Sequence, residues 1–241
     1  MIKGFYCPEG KGEIPFEKCL KCAIFHKNTC QFDYPILSSM VLNLRKEEGI
    51  SVSSILNCLR KVVLQIRNDV YLDPRDLYYS FRGQLFHTVI AQAQEEKAIV
   101  EQRFERDIAG ITLVGHPDVI YPEQKKLVDY KSTRRIPKED IPYAHHSLQV
   151  NLYRYLAAPK YQIDHLEIVY FDMSNIKRVR VPLIDNHTLM DWLVPRLKEL
   201  KEALEGGKLP ERTDSKGIWQ CDGYCPFTNL CWPKGIPKKG G

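Results

Sequence analysis

Gly115-His116-Pro117-Asp118 … Val128-Asp129-Tyr130-Lys131 is the stretch on which the reading of this chain turns. Its two flanks predict β-strands: Ile111 to Tyr121 is rich in Ile, Val, Leu and Thr, and Lys126 to Lys131 alternates. Pro122-Glu123-Gln124-Lys125 between them predicts a tight turn. With Glu123-Gln124 as the loop, residue 122 pairs with 125, and counting back sets Asp118 opposite Asp129. Glu123-Gln124 is not among the dipeptides that favour a two-residue hairpin, so this register rests on the count alone.

Two carboxylates facing each other across a ladder repel, and a hard divalent cation between them removes that cost. Side chains alternate along a strand, so Lys131 shares the face of Asp129. Acid, acid and lysine converging on a metal suit phosphodiester hydrolysis. The ion polarises the phosphate and acidifies a bound water, while the ammonium steadies developing charge. The plainer alternative is a surface hairpin with an incidental Asp–Lys ion pair, which would be worth little.

The chain has 241 residues, 44% hydrophobic and 27% charged, enough for one substantial domain and a small module. No apolar run approaches the length needed to cross a bilayer, and Met1 to Cys7 carries no apolar signal segment, so a cytoplasmic protein is expected. The net charge of +5 points only weakly to nucleic acid. Arg60-Lys61, Arg134-Arg135 and Lys177-Arg178-Val179-Arg180 are the local basic patches, each of which is also compatible with an ordinary solvated face.

Eight cysteines without a secretion signal point to metal rather than disulfides. Cys7, Cys19, Cys22 and Cys30 crowd the N-terminus, where Cys19-Leu20-Lys21-Cys22 forms a knuckle suited to one tetrahedral zinc ion, with His26 a competing fourth ligand and a disulfide pair the rival reading. This segment has too little apolar mass to fold alone, which a metal staple would answer. Cys58, Cys221, Cys225 and Cys231 make up the second group. Metal-bound thiolates at both groups would cancel most of the excess positive charge.

A helix is expected from the Ser51–Ser54 run to about Arg67, with a serine N-cap and Cys58 inside it. A second covers roughly Phe81 to Ala98 and carries His87. Glu101 and Glu105 follow in a strand-like segment, within possible reach of the same site but ranked below His87. A helix over about Ala144 to Ala157 sets Gln149 and Tyr153 on one face, either as an ordinary polar edge or as an amide and a ring that hold nucleic acid. Leu166 to Phe171 and Lys177 to Leu183 predict two more strands, and a last helix runs from about His187 to the stop at Gly206-Gly207.

In that order, His87, Gly115-x-x-Asp118, Asp129-x-Lys131 and Gln149-x-x-x-Tyr153 resemble the RecB-like branch of the PD-(D/E)xK nuclease superfamily. An isolated Cys58 before this core and three cysteines after it are similar to the iron–sulfur members: the CRISPR-associated "Cas-four" adaptation nucleases and the nuclease domain of AddB-type helicase–nucleases. The resemblance spans roughly residues 50 to 232. It implies an α/β fold with a restriction-endonuclease-like core, a mixed sheet flanked by helices, closed by an iron–sulfur clasp.

It further implies that His87, Asp118, Asp129 and the main-chain carbonyl of Tyr130 hold Mn²⁺ or Mg²⁺, that Lys131 is the catalytic lysine, and that Gln149 and Tyr153 line a single-strand path. Cys58, Cys221, Cys225 and Cys231 would ligate a [4Fe-4S] cluster. Two departures stand out: Cys221-x3-Cys225-x5-Cys231 has one residue more than the usual C-x2-C-x5-C, with zinc as competitor, and Asp129 replaces the commoner Glu.

The expected organisation is a zinc-binding module over residues 1–40, a RecB-like nuclease domain over 41–233 and a flexible tail over 234–241. The expected activity is that of a metal-dependent deoxyribonuclease, exonuclease in type, acting on single-stranded DNA or overhangs. Prespacer trimming for antiviral CRISPR defence, with the integrase complex as partner, is the leading setting. Recombination or viral DNA end-processing, and a non-cleaving DNA-binding module, are the alternatives.

Overall fold

The computed structural model describes residues 2–25, 30–44, 48–92, 97–213, 221 and 225–236. His26 lies outside them. The chain divides into two compact units, one of residues 1–46, 58–81 and 206–241, the other of residues 47–57 and 82–205.

In the first unit, β1 (Ile2–Tyr6) pairs antiparallel with β2 (Glu13–Pro15), and α1 (Phe16–Phe25) and α2 (Tyr34–Asn43) follow. The N-terminal segment, too poor in apolar mass to fold alone, takes strand pairing from further along the chain. A strand needs partners on its edges, and β1 takes its second one in parallel from β4 (Val70–Leu72), giving a three-stranded sheet β2-β1-β4. Phe5, Phe32, Leu37 and Met40 form its small core, with Cys19 and Cys30 packed against them.

The expected helix from Ser51 to Arg67 is two helices. After the short β3 (Ile50–Ser51), α3 (Val52–Leu56) starts as expected from a serine cap, Ser51 Oγ accepting from Ser54 N at 3.1 Å. It ends at Asn57, which is extended and whose side-chain amide donates to the Ser53 carbonyl at 2.7 Å, a local alternative to the helical ladder. Cys58 is therefore not inside a helix. It is the extended residue that precedes α4 (Leu59–Arg67), with no side-chain capping bond.

The second helix, α5 (Tyr78–Gln92), begins and ends earlier than expected. The strand expected over Ile111–Tyr121 is broken. β5 (Ile99–Val100) and β6 (Phe104–Ile108) come first, then β7 (Ile111–Gly115) and β8 (Val119–Tyr121), with His116-Pro117-Asp118 between them. Pro117 has no N–H to give a ladder and biases the residue before it, so the chain leaves one sheet and enters another there.

β7 lies in a three-stranded sheet β3-β7-β6, whereas β8 joins the five-stranded sheet β11-β10-β9-β8-β5. That larger sheet is mixed. β9 (Lys126–Ser132) is antiparallel to β8 but parallel to β10 (His165–Phe171), and α6 (Ala144–Ala157) forms the crossover between β9 and β10. β11 (Ile176–Val181) closes one edge antiparallel to β10.

Leu127, Val128, Ile168 and Val169 from the sheet and Val150, Leu152 and Leu156 from α6 are all buried, as a strand with both faces covered requires. The helix α7 (Asn186–Leu204) is capped by Asp185, whose carboxylate accepts from Thr188 N at 2.9 Å, and Gly206 at φ +103 follows it. The last element, α8 (Thr228–Cys231), carries Cys231. Among the described residues no helix is long and apolar enough to cross a membrane.

Candidate active site

The register is the one obtained by counting. Val119 pairs with Val128, Ile120 with Leu127 and Tyr121 with Lys126, and one step further along the same ladder sets Asp118 across from Asp129. The turn closes through Lys125 N donating to the Pro122 carbonyl at 3.0 Å, with Lys125 itself at φ +48. A left-handed residue supplies the twist for which the sequence shows no favoured dipeptide. The strand brings both acids under cover: Asp118 is 5% exposed and Asp129 1%.

Each acid has a distinct environment. Asp118 Oδ2 accepts from the Tyr130 backbone N–H at 2.6 Å, which fixes the carboxylate and aims Oδ1 at His87 Nδ1, 3.0 Å away. That hydrogen bond raises the His87 pKa against the effect of burial. The buried Asp129 Oδ2 forms an ion pair with Lys131 Nζ at 2.7 Å. Burial raises the Asp129 pKa while Lys131 opposes the shift. Burial also works against the Lys131 ammonium, but Asp129 and Asp118 outweigh it and hold the pKa above the ordinary lysine value.

Glu101, ranked below His87 in the sequence, joins the site. Its backbone N–H donates to the Asp118 carbonyl at 3.0 Å, continuing the β5–β8 ladder, and its Oε1 is 3.8 Å from His87 Nδ1. Burial pushes its carboxyl up to about 7, with Asp118 adding to the shift. Its partner in the expectation, Glu105, is engaged elsewhere with Arg103 at 2.5 Å.

Among the described residues, His87, Glu101 and Asp118 are the group of possible metal ligands whose atoms all lie within 4.8 Å of one another. Adjacent ligands of an octahedral Mg²⁺ at about 2.1 Å are about 3 Å apart, and the His87–Asp118 separation matches that spacing. The donor set fits a hard divalent ion.

Gln149 and Tyr153 come together on α6 as spaced, the Gln149 amide donating to the Tyr153 hydroxyl at 2.7 Å. Tyr153 is only 7% exposed. Its ring lies where a Cβ on Gly115 would stand, 2.8 Å from Cδ1, so the glycine permits the close approach. Tyr153 is thus a packed ring rather than an exposed one.

All eight cysteines lie in the first unit. Cys7, Cys19, Cys22 and Cys30 line one cavity of about 560 Å³. Burial and the neighbouring Cys30, Cys22 and Cys7 push the Cys19 thiol up to about 11. Cys225 and Cys231 pack against the cluster of Leu64, Val70 and Phe227, and burial with Cys221 and Cys231 close by raises the Cys225 thiol. Neither quartet brings its sulfurs within the distance that defines the His87 group.

A cleft of about 760 Å³ is lined by Arg135, Lys138, Tyr143, Asn175 and Lys177, among others. Two of the basic patches border it, although Lys177 is tied to the Pro137, Lys138 and Glu139 carbonyls and to Asp140. Tyr143 N donates to the hydroxyl of Tyr170, whose strand position is beside Lys131 in the sheet.

The protein is similar to the solved structure of SSO0001, at TM-score 0.59 and 18% identity, over 84% of this chain and 96% of that one. It is also similar to a phage-related exonuclease from Haemophilus somnus 129PT, at TM-score 0.45 and 12% identity, over 69% of this chain and 97% of that one. No curated protein matches. The family model of the PD-(D/E)XK nuclease superfamily matches residues 84–232, a span that holds His87, Asp118, Asp129, Lys131, Gln149 and Tyr153. The chain belongs to the PD-(D/E)XK nuclease superfamily.

Proposed function

We propose that the protein is a Mn²⁺- or Mg²⁺-dependent deoxyribonuclease that hydrolyses phosphodiester bonds in single-stranded DNA or overhangs, with exonuclease action. The observation that carries this reading is Asp118 fixed by Tyr130 N–H with its other oxygen 3.0 Å from His87, beside a buried Asp129–Lys131 pair. When bound, a divalent cation supplies Lewis acidity to the phosphate and a hydroxide equivalent at neutral pH. His87 and Asp118 would hold it, joined by Asp129 and the Tyr130 carbonyl. Lys131, kept protonated by its acidic neighbours, stabilises the charge that develops on the phosphate oxygens. Gln149 and Tyr153, joined through their polar ends, would border the strand path, and the cleft bordered by Arg135, Lys138 and Lys177 supports a route for the backbone phosphates.

Zinc held by Cys7, Cys19, Cys22 and Cys30 is supported by their shared cavity. A [4Fe-4S] cluster on Cys58, Cys221, Cys225 and Cys231 is supported by the packing of Cys225 and Cys231 on one small core. Trimming of prespacer ends with a CRISPR integrase complex is the setting we propose; the cysteine pattern behind it is shared with AddB-type recombination nucleases, and neighbouring genes separate the two.

The test is cleavage of end-labelled single-stranded DNA with Mn²⁺ by the native protein and by Lys131→Ala. The reading expects cleavage by the first, and loss of cleavage with retained DNA binding by the second. DNA binding without cleavage by the native protein would favour a non-cleaving binding module.

A further inference from the structure

A single strand held for hydrolysis needs a surface for its bases as well as one for its phosphates, and the packed Tyr153 ring is not open to them. We infer that His145, backed by Tyr143, is the platform on which an unpaired base of the substrate strand stacks. This platform rests on the nuclease reading and deepens it, because it gives the protein a means of telling single-stranded DNA from duplex.

Helical spacing sets His145 in line with the residues already assigned. His145, Gln149 and Tyr153 follow one another at four-residue steps and share a face of α6. Gln149 and Tyr153 are covered, whereas His145, in the first turn, is exposed. The sheet then holds this turn beside Lys131. Tyr170 is the register partner of Lys131 on the next strand, so the two side chains project to one face. The Tyr170 hydroxyl accepts from Tyr143 N at 3.1 Å and lies 3.1 Å from His146 Nδ1. Tyr143 stands edge-on to the Tyr170 ring, and its own hydroxyl donates to the Arg135 carbonyl at 2.7 Å. On this fixed base His145 lies within 19° of parallel to the Tyr143 ring, and its centroid is 4.0 Å from that of His146.

A ring braced in this way loses little freedom when a base stacks on it. Partial burial and then the Lys131 ammonium hold the His145 imidazole below the ordinary histidine value, so near neutral pH it offers a π-face rather than a charge. The phosphates have their partners close by: Tyr143 also lines the cleft that carries the exposed Arg135 and Lys138. Rings interleaved with cations take a single strand, bases on the faces and backbone on the charges. A duplex keeps its base faces within its own stack and gains nothing from the platform.

The experiment is binding of a labelled oligothymidylate and of a blunt hairpin duplex to the full-length protein, with Ca²⁺ in place of Mn²⁺, over a series of salt concentrations. His145→Ala is expected to weaken single-strand binding by about fivefold or more while duplex binding stays within about twofold. The slope of log affinity against log salt should not change, because no phosphate contact is lost. His145→Phe, which keeps a ring without ring nitrogens, is expected to bind the single strand within about twofold of the native protein. Should His145→Ala fold poorly in a thermal melt, His145→Gln, also without a ring, decides by the same readout. Native-like single-strand binding in the folded ringless variant overturns the inference and leaves the nuclease reading standing. A deficit that His145→Phe shares, that lowers the salt slope or that is as large on the duplex does the same, because it marks a polar or ionic contact. No single-strand binding by the native protein overturns both.

Discussion

Asp118 and Tyr130 are locked together across the β8–β9 ladder: the Tyr130 backbone N–H reaches the Asp118 carboxylate at 2.6 Å. One hydrogen bond from the strand that carries Asp129 and Lys131 thereby orients the acid on its neighbour. The backbone, not a flexible side chain, sets the spacing of the site.

His87→Ala removes the group facing Asp118 Oδ1. Mn²⁺-dependent cleavage is expected to fall by about 10²-fold or more, with DNA binding at low salt retained. Rates on a labelled oligonucleotide alongside a filter-binding assay check both halves. Undiminished cleavage would mean that the histidine is only packed against the acid.

The pH dependence follows from Glu101. Its folded-state pKa, about 7, lies above the ordinary glutamate value of 4.5. The stability it contributes to the metal-free protein is therefore present below about 4.5 and is lost as pH rises through about 7. The melting temperature of Glu101→Gln should overtake that of the native metal-free protein across this window. A divalent cation held by His87 and Asp118 beside Glu101 favours the ionised carboxylate, so the stabilisation Mn²⁺ gives should grow from pH 5.5 to 7.5; a decrease would contradict the account.

Gly115→Ala sets a methyl group 2.8 Å from the Tyr153 ring and 2.9 Å from Leu156 Cδ1. Overpacking of this kind costs about 1–3 kcal/mol. Thermal unfolding should show a lower midpoint, and Gly115→Ala combined with Tyr153→Leu should recover part of it. An unchanged midpoint would mean that the helix and strand shift apart freely.

The two cysteine groups predict separable losses. Cys58→Ser should abolish the visible absorbance of an iron–sulfur cluster in anaerobically purified protein while zinc content persists. Cys22→Ser should remove zinc and leave iron and sulfide. Loss of both metals from either variant would mean that the groups are not independent. Absence of iron in the native protein would remove the clasp.

Much of the site was legible in the sequence because it depends on counting. The Asp118–Asp129 register, Lys131 on the face of Asp129, and the Gln149–Tyr153 pairing follow from strand and helix periods alone. Glu101 was underrated because its position depends on a left-handed backbone turn, which a glutamate does not announce. The break at Pro117 carried a visible signal, yet the Ile/Val-rich flanks read as one strand. Cys58 was placed within a helix because Asn57, the residue that ends α3, forms its interrupting side-chain bond only locally. The burial of Tyr153 depended on a glycine far away in sequence and was not visible in the spacing of its own helix.

The most direct test of the central claim is an anomalous difference map from crystals soaked in Mn²⁺. The account predicts a peak in contact with His87 Nδ1 and Asp118 Oδ1, with Lys131 nearby. A map without a peak there, or with Asp118 and Asp129 turned apart, would contradict it.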